Sequence, residues 1–130
     1  MNKAILLVSH GKLAIAIKES VELIIGKQKN LIALPMEAQE TLESYENKLE
    51  EQTKKLFREG YEEIIILADI KGGTPCNASA VLMLNDERIK LIAGFNLILV
   101  IELCVTTLSI EELVNNAAKS IEVIKSPVVG

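Results

Sequence analysis

A chain of 130 residues fits one domain, with 49% hydrophobic residues to build a core and 25% charged residues to solvate it. A formal charge of −4 and an isoelectric point near 5.1 argue against a nucleic-acid partner, which needs a basic surface to neutralise phosphates. Aromatic residues reach only 3%, so the core is left to Ile, Leu, Val and Ala, a bias that suits strands buried on both faces.

Lys3–Ser9 is a short continuous apolar run with no helical period and reads as a buried strand. Leu13, Ile17, Val21 and Ile24 then fall on one helical face, and Gly26 is placed to stop that helix. Asn30–Pro35 reads as a second strand. Leu42, Tyr45, Leu49 and Leu56 mark a long amphipathic helix closed by Gly60. On it, Lys54, Lys55 and Arg58 sit among glutamates and read as a solvated face.

Glu63–Asp69 is the third strand. Thr74 and Pro75 open a helix, with Thr74 expected as N-cap and Pro75 at N1, where no hydrogen bond is lost. Ile89–Ala93 is a fourth strand, and a Gly94-Phe95-Asn96 turn leads into Leu97–Val105, whose state the periodicity leaves open. Ser109-Ile110-Glu111-Glu112 has the form of a capping box, with Leu113, Ala117, Ile121 and Ile124 expected on the inner face of the last helix.

Leu91 to Val105 is nearly all apolar, but its uncharged portion ends at Ile101, short of the ~20 residues a bilayer span takes. Glu102 then interrupts it, at a cost on the order of 3 kcal/mol in mid-membrane. Cys76 and Cys104 are too far apart for a CxxC unit and too few for a disulfide framework, and read as free thiols in a reducing compartment. Met1 leads straight into a strand-like run without a basic region or cleavage site, so no signal peptide is expected and a cytoplasmic location is.

Strands alternating with helices imply βαβ units, right-handed crossovers and a mainly parallel sheet in one α/β domain over residues 1–130. In an open sheet of this kind, ligands bind beyond the carboxyl ends of the strands, where strand order reverses. For a doubly wound sheet of order 2-1-3-4, that point lies between strands one and three. Ser9-His10-Gly11 and Asp69-Ile70-Lys71-Gly72-Gly73-Thr74 meet there.

Neighbouring strands lie about 4.8 Å apart, which puts His10 and Asp69 within reach of a shared hydrogen bond. A histidine attacks phosphorus through a lone pair, so the attacking nitrogen must be unprotonated. A carboxylate accepting from the other ring N–H fixes the tautomer and favours the cationic ring formed on phosphorylation. An ordinary imidazole titrates near pH ~6.5, so a neutral ring is available near neutrality.

Gly72 and Gly73 let backbone N–H groups approach a ligand, and the helix start at Thr74 favours an anion. Thr74 is read both as a cap and as a hydroxyl donor to a phosphoryl oxygen. The helix start after Gly11 adds a second positive dipole end. No acidic cluster offers a magnesium site, and a phosphohistidine donor requires neither metal nor cofactor. The plainer readings are that His10 is a polar turn residue, Asp69 a partner for turn backbone, Lys71 a solvated lysine and Asn77 a helix-surface amide.

An N-terminal strand ending in S-H-G, then A-D-I-K-G-G-T-P-C-N-A-S, then A-G-F-N-L, resembles the IIA component of the mannose/fructose/sorbose family of the bacterial sugar phosphotransferase system. The similarity runs from Lys3 to about Ile124, and the D-x-x-G-G-[ST]-P-x-N-A block is its specific part.

The resemblance implies four parallel strands with an added antiparallel edge strand, assembled as a homodimer. It implies transfer from the phosphocarrier HPr to His10, then to a IIB component, with membrane IIC and IID components taking up the sugar. By motif, His10 is the phosphorylated nucleophile, Asp69 its orienting carboxylate and Thr74 a phosphoryl donor, with Gly11, Gly72 and Gly73 around the phosphoryl group. The chain departs from the family where Asn96-Leu97 is followed by Ile98-Leu99 in place of Pro-Met.

A response-regulator receiver needs an acidic pair after strand one, where this chain has Ser9-His10. A tetrapyrrole chelatase wants a second histidine, and His10 stands alone. The phosphoryl-carrier subunit of dihydroxyacetone kinase, and a non-catalytic regulatory dimer, remain as alternatives.

Overall fold

The structure, a computed structural model, describes residues 2–126. The chain runs β1 (Lys3–His10), α1 (Leu13–Ile25), β2 (Leu31–Met36), α2 (Leu42–Arg58) and β3 (Glu63–Ala68). It continues through α3 (Thr74–Asn85), β4 (Ile89–Ala93), α4 (Leu97–Val105) and α5 (Ile110–Lys119). The four strands form one sheet in the order β2-β1-β3-β4, and every pairing is parallel. The expected α/β architecture and strand order are therefore present, and among the described residues no antiparallel edge strand joins the sheet. Pro35 lies in β2, an edge strand, where a missing N–H is tolerated.

The two-residue period of the central strands divides the core. Ala4, Leu6 and Val8 with Ile64, Ile66 and Ala68 pack beneath α2 and α3, against Tyr45, Leu49, Leu56, Cys76 and Ala78. Ile5 and Leu7 with Ile65 and Leu67 face α1, α4 and α5 through Ala14, Val21, Leu99, Val100, Leu103, Leu113 and Ala117. Such strands, apolar on both faces, have no hydrophilic side to mark them, which is why they read as continuous runs. The buried Tyr45 hydroxyl donates to the Leu34 carbonyl (2.6 Å), tying α2 to β2. Burial holds that phenol above its ordinary value, with the Glu40 and Asp69 carboxylates adding to the effect.

Several local expectations are corrected. The inward face of α1 consists of Ala14, Ile17, Val21 and Ile25, while Leu13 and Ile24 are 47% and 58% exposed. The stripe is thus turned by one residue from the expected Leu13-Ile17-Val21-Ile24 set. The undecided segment Leu97–Val105 is a helix, capped by Asn96, whose side chain accepts from the Leu99 N–H (3.0 Å).

Helix α5 stops at Lys119, leaving Ile121 and Ile124 exposed rather than on its inner face. The cause lies in the Ala117 carbonyl: a continuing helix would offer it to Ile121, but it accepts instead from Asn96 Nδ2 (3.0 Å) and Ser120 Oγ (2.6 Å). The box at Ser109 is half-formed. Ser109 Oγ accepts from the Glu112 N–H but donates to the Glu112 carboxylate, so the reciprocal bond is missing. A complete box occurs instead at Thr41 and Ser44. Among the described residues, no helix is long and apolar enough to cross a membrane.

Candidate functional site

The carboxyl ends of β1 and β3 deliver His10 and Asp69 side by side at the point where strand order reverses. His10 Nδ1 lies 2.8 Å from Asp69 Oδ2, and the same oxygen accepts from the His10 backbone N–H at 2.9 Å. Asp69 Oδ1 accepts from the Ile70 N–H at 2.9 Å. One carboxylate thus holds the histidine by backbone and ring together and is itself held by its own loop. A carboxylate is an acceptor, so the neutral ring that fits this contact has its proton on Nδ1 and its lone pair on Nε2. The His10 side chain is 51% exposed and that of Asp69 10%. The carboxylate is sheltered and the imidazole is open.

The turn that carries His10 is fixed from below. Ser9, fully buried, accepts from the Ala14 N–H (2.8 Å) and donates to the Gly11 carbonyl (3.1 Å), so its hydroxyl does the capping that Lys12 does not. The Gly11 N–H donates to the Met36 carbonyl of β2 (2.8 Å). Gly11 has φ of +56°, and its contribution is to let the chain turn from strand to helix beside the histidine.

Across the site, Gly73 rather than Thr74 is the N-cap of α3, with Thr74 and Pro75 one position further into the helix than expected. The shift changes what Thr74 does. Its hydroxyl makes no hydrogen bond among the described residues, and neither do the N–H groups of Gly72, Thr74 and Cys76. These donors gather at the positive end of a 12-residue helix. Gly73 lies directly under the histidine: a Cβ there would stand 2.6 Å from His10 Cε1 and 3.2 Å from Nε2. His10, Asp69 and Gly73 are therefore brought together, with Gly72 and Thr74 on either side of Gly73 in the chain and Gly11 at the turn behind.

Two contributors escaped the sequence reading. The motif S-H-G contained Ser9, but nothing in it revealed a hydroxyl bridging the turn. Asn77, expected as a surface amide, donates from Nδ2 to the Gly72 carbonyl (3.1 Å). Lys71 is exposed, in keeping with a solvated reading. Among the described residues, no three His, Cys, Asp or Glu side chains are grouped to hold a metal ion.

An oriented imidazole at the switch point of a doubly wound sheet, beside the start of a helix, defines a class of small α/β domains that carry a histidine at the ligand-binding end of the sheet. Comparison with known proteins narrows the class. A family model, EIIA-man, described as the PTS system fructose IIA component, matches residues 4–118, and the chain belongs to that family of phosphotransferase-system components.

It is 35% identical over 115 residues to the PTS system fructose-specific EIIA component of Bacillus subtilis, covering 87% of this chain and 77% of that one. It is 32% identical over 117 residues to the PTS system sorbose-specific EIIA component of Lacticaseibacillus casei, covering 88% and 83%. Among solved structures, the PTS IIA protein associated with the fucose utilization operon of Streptococcus pneumoniae superposes with a TM-score of 0.87. The identity there is 28%, with 94% of this chain and 93% of that one covered.

Proposed function

We propose that this chain is a phosphoryl carrier that accepts a phosphoryl group from phospho-HPr on His10 Nε2 and passes it to a IIB component. The observation that carries the reading is the 2.8 Å bond from His10 Nδ1 to Asp69, which leaves Nε2 as the ring nitrogen with a lone pair. In the transfer, that lone pair forms the new P–N bond as the P–N bond of the donor phosphohistidine breaks. The donor ring keeps the electron pair and takes up a proton from solvent. The acceptor ring becomes cationic, and the adjacent Asp69 carboxylate favours that charge. The unpaired N–H groups of Gly72, Thr74 and Cys76 and the Thr74 hydroxyl are the donors for the phosphoryl oxygens. Transfer to IIB is the same displacement with this chain as donor.

The surroundings suit a protein partner. Leu13 and Ile70 flank the half-exposed histidine and are 47% and 57% exposed, while Lys12 and Lys71 add positive charge. A cleft at the opposite end of the sheet, between Asn2, Lys29, Gln52 and Tyr61, takes no part in this arrangement. The reading includes a homodimer, acting in the cytoplasm with membrane IIC and IID components downstream. Its support is the edge of β4, unpaired among the described residues, together with the exposed Ile121, Val123 and Ile124, which lie in no helix or strand.

Incubation with enzyme I, HPr and phosphoenolpyruvate, followed by intact mass, tests the proposal. Wild type gains one acid-labile phosphoryl group and His10→Gln gains none. An uncharged wild type in the presence of charged HPr refutes it and favours the dihydroxyacetone kinase or regulatory alternatives.

A further inference from the structure

We infer that Asn77 is a positioning residue for phosphoryl transfer: its side-chain amide clamps the Gly72–Gly73 peptide in the orientation that supports the His10 ring and leaves the helix N–H groups free. The inference rests on the carrier reading above. Asn77 sits one turn into α3, and its backbone N–H makes the first helical bond, to the Gly73 carbonyl (2.9 Å). Its Nδ2 reaches further back, to the Gly72 carbonyl (3.1 Å).

The Gly72 carbonyl is the acceptor that the Cys76 N–H would take if the helix wound back by one residue. By occupying it, the Asn77 side chain ends the helix at Gly73. The Cys76 N–H is then left without an acceptor among the described residues.

The loop so held has little rigidity of its own. Two consecutive glycines carry no Cβ to restrict them, and Gly72 has φ of +87°. Rotation of the Gly72–Gly73 peptide would move the Gly73 backbone, on which the His10 ring rests with no room for a methyl group. A displaced ring loses its alignment with Asp69. Asn77 touches neither histidine nor phosphoryl group, so its effect runs through the loop.

Two readouts on Asn77→Ala and Asn77→Gln test the role. The first is the 15N pH titration of the His10 ring nitrogens in uncharged protein. The second is the rate of phosphoryl uptake from phospho-HPr. Asn77→Ala should melt within about 3 °C of wild type, since alanine is the better helix former and the site is exposed. Its ring nitrogens should lose the wide separation of a single tautomer, and its uptake should fall about tenfold. Asn77→Gln, which keeps the donor, should recover most of both.

If Asn77→Ala is unstable, Asn77→Asp removes the donor without changing the shape, and the ring titration is read on it. Ring resonances and uptake that match wild type overturn the inference. A wild type that takes no phosphoryl group defeats the carrier reading instead, and the ring resonances of the variants still decide the role of Asn77.

Discussion

Gly73→Ala isolates the geometry of the nucleophile from the stability of the fold. Gly73 has φ of −79° and ψ of 167°, a conformation alanine adopts without strain, so the backbone alone does not require glycine there. The steric requirement comes from the histidine. A new Cβ would stand 2.6 Å from His10 Cε1, 3.2 Å from Nε2 and 3.2 Å from Ile70 Cγ2. Ordinary carbon contacts lie about 3.5–4.0 Å apart, so the ring must withdraw by about 1 Å.

The Nδ1 bond to Asp69, now 2.8 Å, does not survive such a movement. A hydrogen bond to a charged group is worth about 1.5–3 kcal/mol, which translates to a rate loss of roughly 10- to 150-fold. Stability should change little. Alanine is a poorer N-cap than glycine, a cost below about 1 kcal/mol, and a less flexible unfolded chain offsets part of it. The assay is rapid-quench phosphoryl uptake from phospho-HPr beside a thermal melt. Uptake within twofold of wild type would refute the reasoning, as would a rate loss fully matched by unfolding.

Asp69→Asn should fold yet transfer about 10- to 100-fold more slowly, because an amide cannot accept from His10 N–H, His10 Nδ1 and Ile70 N–H together. Normal transfer in that variant would remove Asp69 from the mechanism. Thr74→Ala should leave stability within about 0.5 kcal/mol, since Gly73 and not Thr74 caps the helix, while uptake falls several-fold. A melting loss with unchanged uptake would make Thr74 structural only.

The loss of stability in acid should include a visible share from Glu40. The Glu37 N–H and the Lys48 ammonium, each 2.8 Å from its Oε1, hold its carboxyl below the ordinary 4.5. Its folded value is depressed, so its stabilisation is full above the unfolded value and is lost as pH falls through the folded one. Melts of Glu40→Gln should therefore show a shallower decline below about pH 5 than wild type, and parallel curves would show that the pair adds nothing.

Much of this site was legible because its signals are local. Apolar runs without a helical period marked β1 and β3, and the switch-point rule then brought His10 and Asp69 together without any contact being known. What was not legible depends on distant partners. The end of α5 is decided by Asn96, 21 residues away, which takes the Ala117 carbonyl while the hydrophobic period continues through Ile121 and Ile124. Helix α4 is apolar nearly all round, so no stripe showed, and its cap at Asn96 was the only local sign. The role of Asn77 requires the direction of one glycine carbonyl, which a glycine pair leaves undetermined until the loop is built.

The central claim is that Asp69 commits Nδ1 and reserves Nε2 for the phosphoryl group. Heteronuclear 31P–15N NMR of the charged protein tests it most directly, because the phosphorus couples to the nitrogen it is bonded to. The account predicts a single phosphohistidine at His10 with phosphorus on Nε2. Phosphorus on Nδ1, or on any residue other than His10, would contradict it.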